Sequence, residues 1–228
     1  MFQTIVKIFL LVIITAAITP FIRKLAFVLG AVDNPNARRI NKKPMPTIGG
    51  LAIFVAFNIG EFVLLRKDFP THELFSVLLA SSVIILTGLI DDILELKPRQ
   101  KMFGIFVASL VVYFLAGIKV RELSLPFLGH IQLGWWSFPL TIFWILALTN
   151  AVNLIDGLDG LATGVTLISL VTMGIVGFFF LKSWQHYVPI MCIMLAACLL
   201  GFLPYNFHPA KIFLGDTGAL YIGFMISV

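Results

Sequence analysis

Three separate stretches of this sequence carry carboxylates of the type and spacing that phosphoryl chemistry requires. Asp91-Asp92 directly follows an apolar run ending Leu89-Ile90. Adjacent carboxylates at a helix end point to different sides, so one can meet a metal or an acceptor while its neighbour acts as a base or supports it. The plain alternative is a solvated pair beside the helix dipole. In Asn150-Ala-Val-Asn-Leu-Ile-Asp-Gly-Leu-Asp-Gly-Leu-Ala-Thr-Gly164, Asn153, Asp156 and Asp159 recur at i, i+3 and i+6. That spacing predicts one side of a helix, with Gly157 and Gly160 letting a ligand approach the backbone or else serving as hinge and packing glycines. Phe213-Leu-Gly-Asp-Thr-Gly218 sets Asp216 between two glycines, a turn that can hold a metal carboxylate beside backbone N–H groups or simply cap a helix. Oxygen ligands at this density, with no thiol or imidazole cluster, suit Mg²⁺ or Mn²⁺ rather than zinc. Cations for phosphates stand nearby: Lys97, Arg99 and Lys101 follow the aspartate pair, and Lys42 and Lys43 precede Pro46-Thr-Ile-Gly-Gly50. Together these residues form a kit for phosphoryl transfer from a nucleotide. The sequence has no Walker pattern, which disfavours ATP hydrolysis.

The elements that must position these residues are membrane helices. The 228 residues are 60% hydrophobic and 12% charged, with a mean hydropathy of +1.03, against roughly 25% charged in soluble domains. A soluble globule of this size has too little interior for so many apolar side chains, whereas a bilayer leaves them uncovered at no cost. A net charge of +5 raises the question of nucleic acid. No basic helix or aromatic-interleaved patch is present, however, and Lys and Arg fall between apolar runs, where they orient a membrane protein. Cys192 and Cys198 lie six apart in one apolar run, off a common helical face, and read as buried inert thiols.

Seven runs reach spanning length: Gln3 to Ile22, Gly49 to Leu65, Leu74 to Ile90, Met102 to Ile118, Trp135 to Val152, Leu161 to Leu181 and Tyr187 to Leu203. An eighth starts near Thr217 and is truncated at Val228. The expectation is an all-α, polytopic protein of the cell membrane, with a single transmembrane domain over residues 1–228. Consecutive spans put alternate loops on opposite faces. One face receives 10 Lys and Arg and the other 5, leaving Lys7 aside, so the first is expected to be cytoplasmic. That face also receives seven of the 11 acidic residues: Asp33, Asp91, Asp92, Glu95, Asp156, Asp159 and Asp216. Ionisable groups beside a bilayer tend to be paired or functional, so their convergence from distant loops predicts a shared site. Val120 to Leu133 alternates weakly around Pro126 and Gly129 and predicts a small external hairpin.

Four ordered motifs then carry a resemblance over the whole chain: Asp33-Asn-Pro-Asn-Ala-Arg-Arg with Pro46 to Gly50, Asp91-Asp92 through Lys101, Asn150 to Gly164, and Phe213 to Gly218. In these the sequence resembles the polyprenyl-phosphate N-acetylhexosamine-1-phosphate transferases. The resemblance implies Mg²⁺-dependent transfer of a sugar-1-phosphate from a UDP-sugar to a membrane polyprenyl phosphate, with release of UMP. Within the family the sequence is similar to the bacterial branch that makes undecaprenyl-diphospho-N-acetylglucosamine and so starts teichoic acid, O-antigen or related polymers. The peptidoglycan enzyme that uses UDP-muramoyl-pentapeptide is the alternative. By motif, Asp216 is implied as a metal ligand with Asn153 its companion, and Asp91 and Asp92 as the essential pair near the metal and lipid phosphate. Lys101 is implied to hold the donor diphosphate, and Asp156, Asp159, Asn206 and Phe213 to build the nucleotide pocket, where Phe213 offers a face for uracil. Asn41 stands where bacterial members usually carry histidine. The family's further helices and its His- or Arg-rich cytoplasmic loop would lie beyond residue 228, so the expectation is a C-terminally incomplete domain, a fragment or an inactive truncated member. A transporter is disfavoured, because its acids would sit near the bilayer midplane, whereas here they cluster at helix ends and Glu61 is the main intramembrane exception.

Overall fold

The computed structural model describes residues 2–35, 43–64, 71–125, 129–181 and 187–228. The elements are α1 (Phe2–Leu29), β1 (Val32–Asp33), β2 (Met45–Pro46), α2 (Gly50–Ile59), α3 (Thr71–Leu94), α4 (Pro98–Val111), β3 (Glu122–Leu125), β4 (Gly129–Gln132), α5 (Ser137–Ile155), α6 (Leu161–Phe180), α7 (Tyr187–Asn206) and α8 (Gly215–Ser227). Single π-helical turns extend α2 over Gly60–Leu64 and α4 over Val112–Ala116. Among the described residues, six helical stretches are long and apolar enough to cross a membrane. The exception among the seven predicted spans is the second. α2 and its π turn together rise roughly 22 Å at 1.5 Å per residue, short of the roughly 30 Å hydrocarbon core. Residues 65–70, which the predicted run enters, lie outside the described residues. The expected hairpin forms as β3 and β4, antiparallel, with Glu122 opposite Gln132 and Leu125 opposite Gly129.

Phe9, Phe21, Ile168 and Phe179 on the bundle's outer faces are 64–78% exposed, as lipid-facing side chains are in the absence of lipid. The interior centres on α8, whose Leu220, Tyr221, Ile222 and Phe224 are fully buried against α3, α5 and α2. Lipid tails are as apolar as leucine, so close packing rather than water exclusion holds such helices together, and small residues set how near they come. A Cβ on Gly50 would fall 2.0 Å from Gly218 Cα, and one on Gly88 2.5 Å from Thr217 Cα. Two glycine faces thus seat the first turn of α8 on α2 and α3. The glycines of the Pro46 to Gly50 motif are taken up by packing, Gly49 against Phe202 and Phe213 and Gly50 against Gly218. α1 is fastened to α7 at its proline. Pro20 has no N–H to offer the Ala16 carbonyl, and Tyr205 Oη donates to that oxygen at 3.0 Å instead.

Candidate active site

The site forms where the end of α3, the start of α4, the end of α5 and the start of α8 meet. Asp91 and Asp92 occupy the last turn of α3, and their side chains diverge as adjacent positions must. Asp91 is buried; its Oδ1 accepts Leu96 N at 2.7 Å and its Oδ2 pairs with Lys101 Nζ. Lys101 is placed by the entry into α4. Pro98 stands at the first helical position, and Gln100 Oε1 accepts the Lys97 N–H at 3.0 Å, so the lysine falls one turn inside the helix and turns back toward α3. Its ammonium also donates to Asp216 Oδ1 at 2.7 Å, and Asn153 Nδ2, from the last turn of α5, donates to the same oxygen. One lysine therefore links carboxylates 125 residues apart in sequence.

Asp92 turns the other way. Its Oδ1 accepts Asp216 N at 3.1 Å, while its Oδ2 accepts Thr217 N at 3.0 Å and Thr217 Oγ1 at 2.6 Å. An anion at a helix N-terminus satisfies otherwise orphaned N–H groups and meets the positive end of the dipole. Asp92 is in effect a tertiary cap for α8 that orients the Asp216 backbone. Gly215 makes the approach feasible: its φ is +72°, and a Cβ there would lie 1.5 Å from Thr47 O. Phe213 N donates to Pro46 O, while Gly49 N and Gly50 N donate to Phe213 O and Leu214 O, so the 46–50 segment and the loop before α8 are clasped together.

The i, i+3, i+6 reading requires correction. α5 ends at Ile155, Asp156 leaves helical geometry at ψ 53°, and Gly160 takes a φ of +71° before α6. The helix stops at Asp156, before the glycines, and Gly160 turns the chain into α6, so Asn153, Asp156 and Asp159 do not share a side. Asn153 and Asp156 remain with Asp216; burial, with the Asp216 charge adding to it, pushes the Asp156 carboxyl up to about 7. Asp159 instead ties the turn to the α7–α8 loop, its Oδ2 accepting Ala210 N at 3.1 Å with His208 Nδ1 3.0 Å away. Asn206 also departs from its implied role. It is buried, its Oδ1 accepts Thr163 Oγ1 at 2.7 Å and its Nδ2 donates to Ile212 O at 3.2 Å, so its amide braces α6 and the loop from inside. Phe213 is half-buried beside Asp216 in sequence, and Lys43 is exposed ahead of β2, outside the cluster. Lys42 and Asn41 lie outside the described residues. The parts unassigned from sequence were Thr217, Thr163 and His208. The Gly-Asp-Thr-Gly motif contained Thr217, but nothing local in sequence marks the other two.

Two carboxylates, Asp91 and Asp216, thus share one ammonium, with Asp92 on the Asp216 backbone and Asp156 near the Asp216 charge. The donor set is oxygen-rich, and among the described residues no group of three or more His, Cys, Asp or Glu side chains converges as a ready-made metal cage. That combination fits Mg²⁺, which is bound by one or two carboxylates and completed by substrate phosphates and water. It does not fit a structural zinc site.

Fold and site together define a polytopic helical membrane protein with an acidic, lysine-bridged site at one end of the bundle. Residues 74–228 match the glycosyl transferase family 4. A probable undecaprenyl-phosphate N-acetylglucosaminyl 1-phosphate transferase of Bacillus subtilis is 40% identical over 212 residues, 92% of this chain and 58% of the relative. A phospho-N-acetylmuramoyl-pentapeptide-transferase of Clostridium botulinum is 36% identical over 91% of this chain and 66% of its own length. A decaprenyl-phosphate N-acetylglucosaminephosphotransferase of Mycolicibacterium smegmatis is 35% identical over 94% and 56%. The chain belongs to glycosyl transferase family 4 and spans 56–66% of the length of these relatives.

Proposed function

We propose that this protein transfers N-acetylglucosamine-1-phosphate, or a related N-acetylhexosamine-1-phosphate, from the UDP-sugar to undecaprenyl phosphate, releasing UMP and starting a cell-wall or surface polysaccharide. The observation that carries this reading is the Lys101 ammonium between Asp91 and Asp216 at the capped N-terminus of α8, with Asp156 alongside. The activities for which the Bacillus and Mycolicibacterium relatives are named support the substrate class. An oxygen of the acceptor phosphate attacks the sugar-bearing phosphorus, the bond to the uridine-side phosphate breaks, and UMP leaves with its electron pair. The acceptor is already ionised near neutral pH, so positioning and charge neutralisation dominate over proton abstraction. In this reading Lys101 meets the donor diphosphate, Asp91 holds Lys101, and Asp92 holds α8. Asp216, with Asn153 and Asp156, would hold Mg²⁺, which would supply Lewis-acid stabilisation of the diphosphate charge. Asp159 and Phe213 border the nucleotide.

The test is transfer of radiolabel from UDP-N-acetylglucosamine into an undecaprenyl lipid by membranes holding the protein, with and without EDTA. Label in the lipid that disappears on chelation and returns with Mg²⁺ is the expected result. Label from UDP-muramoyl-pentapeptide instead would assign the activity named for the Clostridium relative, and label from neither donor would overturn the reading.

A further inference from the structure

At the end of the bundle opposite the site, between α4 and α5, the β3–β4 hairpin is a two-faced ribbon. Its register puts Leu123 opposite Ile131 on one face, and Glu122 opposite Gln132 and Ser124 opposite His130 on the other. The polar face ties itself together across the strands: Gln132 Nε2 donates to Glu122 Oε2 at 2.9 Å, and Ser124 Oγ lies 2.8 Å from His130 Nδ1. The apolar pair is left 38% and 39% exposed. Two short strands open on both faces are marginal in water, so the apolar face needs a cover that the described residues do not supply.

The root of the ribbon fixes its depth. Val120 N donates to Thr141 Oγ1 at 3.0 Å, one turn inside α5, so the root lies about 6 Å along the axis from that helix's first residue. Beside it Tyr113 and Phe114, from the π turn after α4, pack on Phe138 at centroid distances of 5.1 and 5.9 Å, and Phe114 is exposed on the outer face of the bundle. Leu133 N donates to Arg121 O and Leu133 O accepts Trp136 N, so the ribbon runs straight into a turn whose Trp135 and Trp136 are 97% and 75% exposed. Indole rings concentrate where acyl chains give way to headgroups. Alternation puts Arg121 at the root of the apolar face, and Lys119 Nζ stands 4.9 Å from the Tyr113 centroid; long-stemmed cations extend from that depth toward lipid phosphates. We propose that the hairpin lies in the interfacial layer of the bilayer, its Leu123–Ile131 face against the upper acyl chains and its Ser124–His130 face toward water, with Trp135 and Trp136 as anchors. Continuity with the lipid-facing ends of α4 and α5 selects lipid as the occupant, because the ribbon leaves the bundle below the start of α5 and between aromatic side chains already open to lipid.

The full chain with Cys192→Ala and Cys198→Ala is reconstituted in phosphatidylcholine liposomes, carrying a spin label on Leu123→Cys, Ser124→Cys, His130→Cys or Ile131→Cys. Collision with dissolved oxygen and with a neutral nickel chelate reads lipid against water at each position. Labels at 123 and 131 should favour oxygen and those at 124 and 130 the chelate, so that the preference alternates along each strand. The chain with its own cysteines gives a second reading. Lipids brominated near the glycerol should quench indole fluorescence more than lipids brominated near the chain ends, and this difference should be lost when Trp135→Phe and Trp136→Phe are combined. Chelate access at all four labelled positions, shielding of 123 and 131 from both reagents by a second copy or another protein, or the same bromine-depth pattern with and without the two tryptophans would each overturn the proposal.

Discussion

Asp91 and Asp92 are chemically identical neighbours with different surroundings, and that difference separates their expected behaviour. Asp92→Asn presents an NH₂ group to donors on Thr217 or Asp216, so it should lower stability by about 1–3 kcal/mol, seen as an earlier thermal unfolding midpoint. Turnover should fall with it while the donor KM stays near wild type. Thr217→Val removes one of the three bonds and should lose about 1 kcal/mol. Asp216→Asn keeps the shape of the site and removes the charge facing Lys101 and Asn153. Transfer should fall on the order of 100-fold or more, while polyprenyl phosphate binding, read by co-purified lipid, persists. Asp156 supplies a pH signature. Its carboxyl ionises at about 7 in the fold against the ordinary 3.8, so the native state holds a proton that the unfolded chain releases. This contribution is fully present below about 3.8 and is lost as pH rises through about 7. Without divalent cation, stability should therefore decline from pH 5 to pH 8, and the decline should shrink in Asp156→Asn. An unchanged slope in that variant would remove Asp156 from the cluster.

At the level of elements, the position of α8 is set by residues without side chains. Gly50→Leu must push α2 away from Gly218, and Gly215→Ala meets both the Thr47 carbonyl and a φ of +72°. Both should lose monodisperse protein in size-exclusion chromatography. A Cβ on Gly157 meets nothing within 4 Å, so Gly157→Ala should elute as wild type. Elution of all three at the wild-type position would show that α8 does not depend on these contacts. The places of the helices were legible in sequence because hydropathy reports apolar runs directly, although α1 runs on to Leu29 and α2 falls short of a span. The break after Ile155 was not, because i, i+3, i+6 spacing is equally compatible with a helix that continues and with one that stops at Asp156.

Across the whole molecule, the lysine-bridged cluster and the clasp of residues 46–50 gather at one end of the bundle, and the β3–β4 hairpin joins the opposite ends of α4 and α5. We propose, from the Lys and Arg bias between the two faces, that the site end lies in the cytoplasm. Single cysteines at Leu94 and Leu158, which are 69% and 63% exposed, should resist an impermeant thiol reagent on intact cells. One at the exposed His130 of the hairpin should react. Labelling of the first two with protection of the third would invert the orientation.

The sequence by itself determined the all-α membrane class, the positions of the helices and the set of residues able to handle phosphate, because periodicity, hydropathy and side-chain chemistry are local properties. Which of those residues touch was decided only in three dimensions. Lys101 reaches Asp216 across 115 residues and Asp92 caps a helix 124 residues away. Both contacts exist because glycine faces let α8 settle against α2 and α3, and no local pattern encodes that distance. The same packing turned Asn206 inward and Asp159 toward His208. A polar side chain bonds whichever donor or acceptor the folded backbone brings within 3 Å, and its type and spacing do not specify that partner.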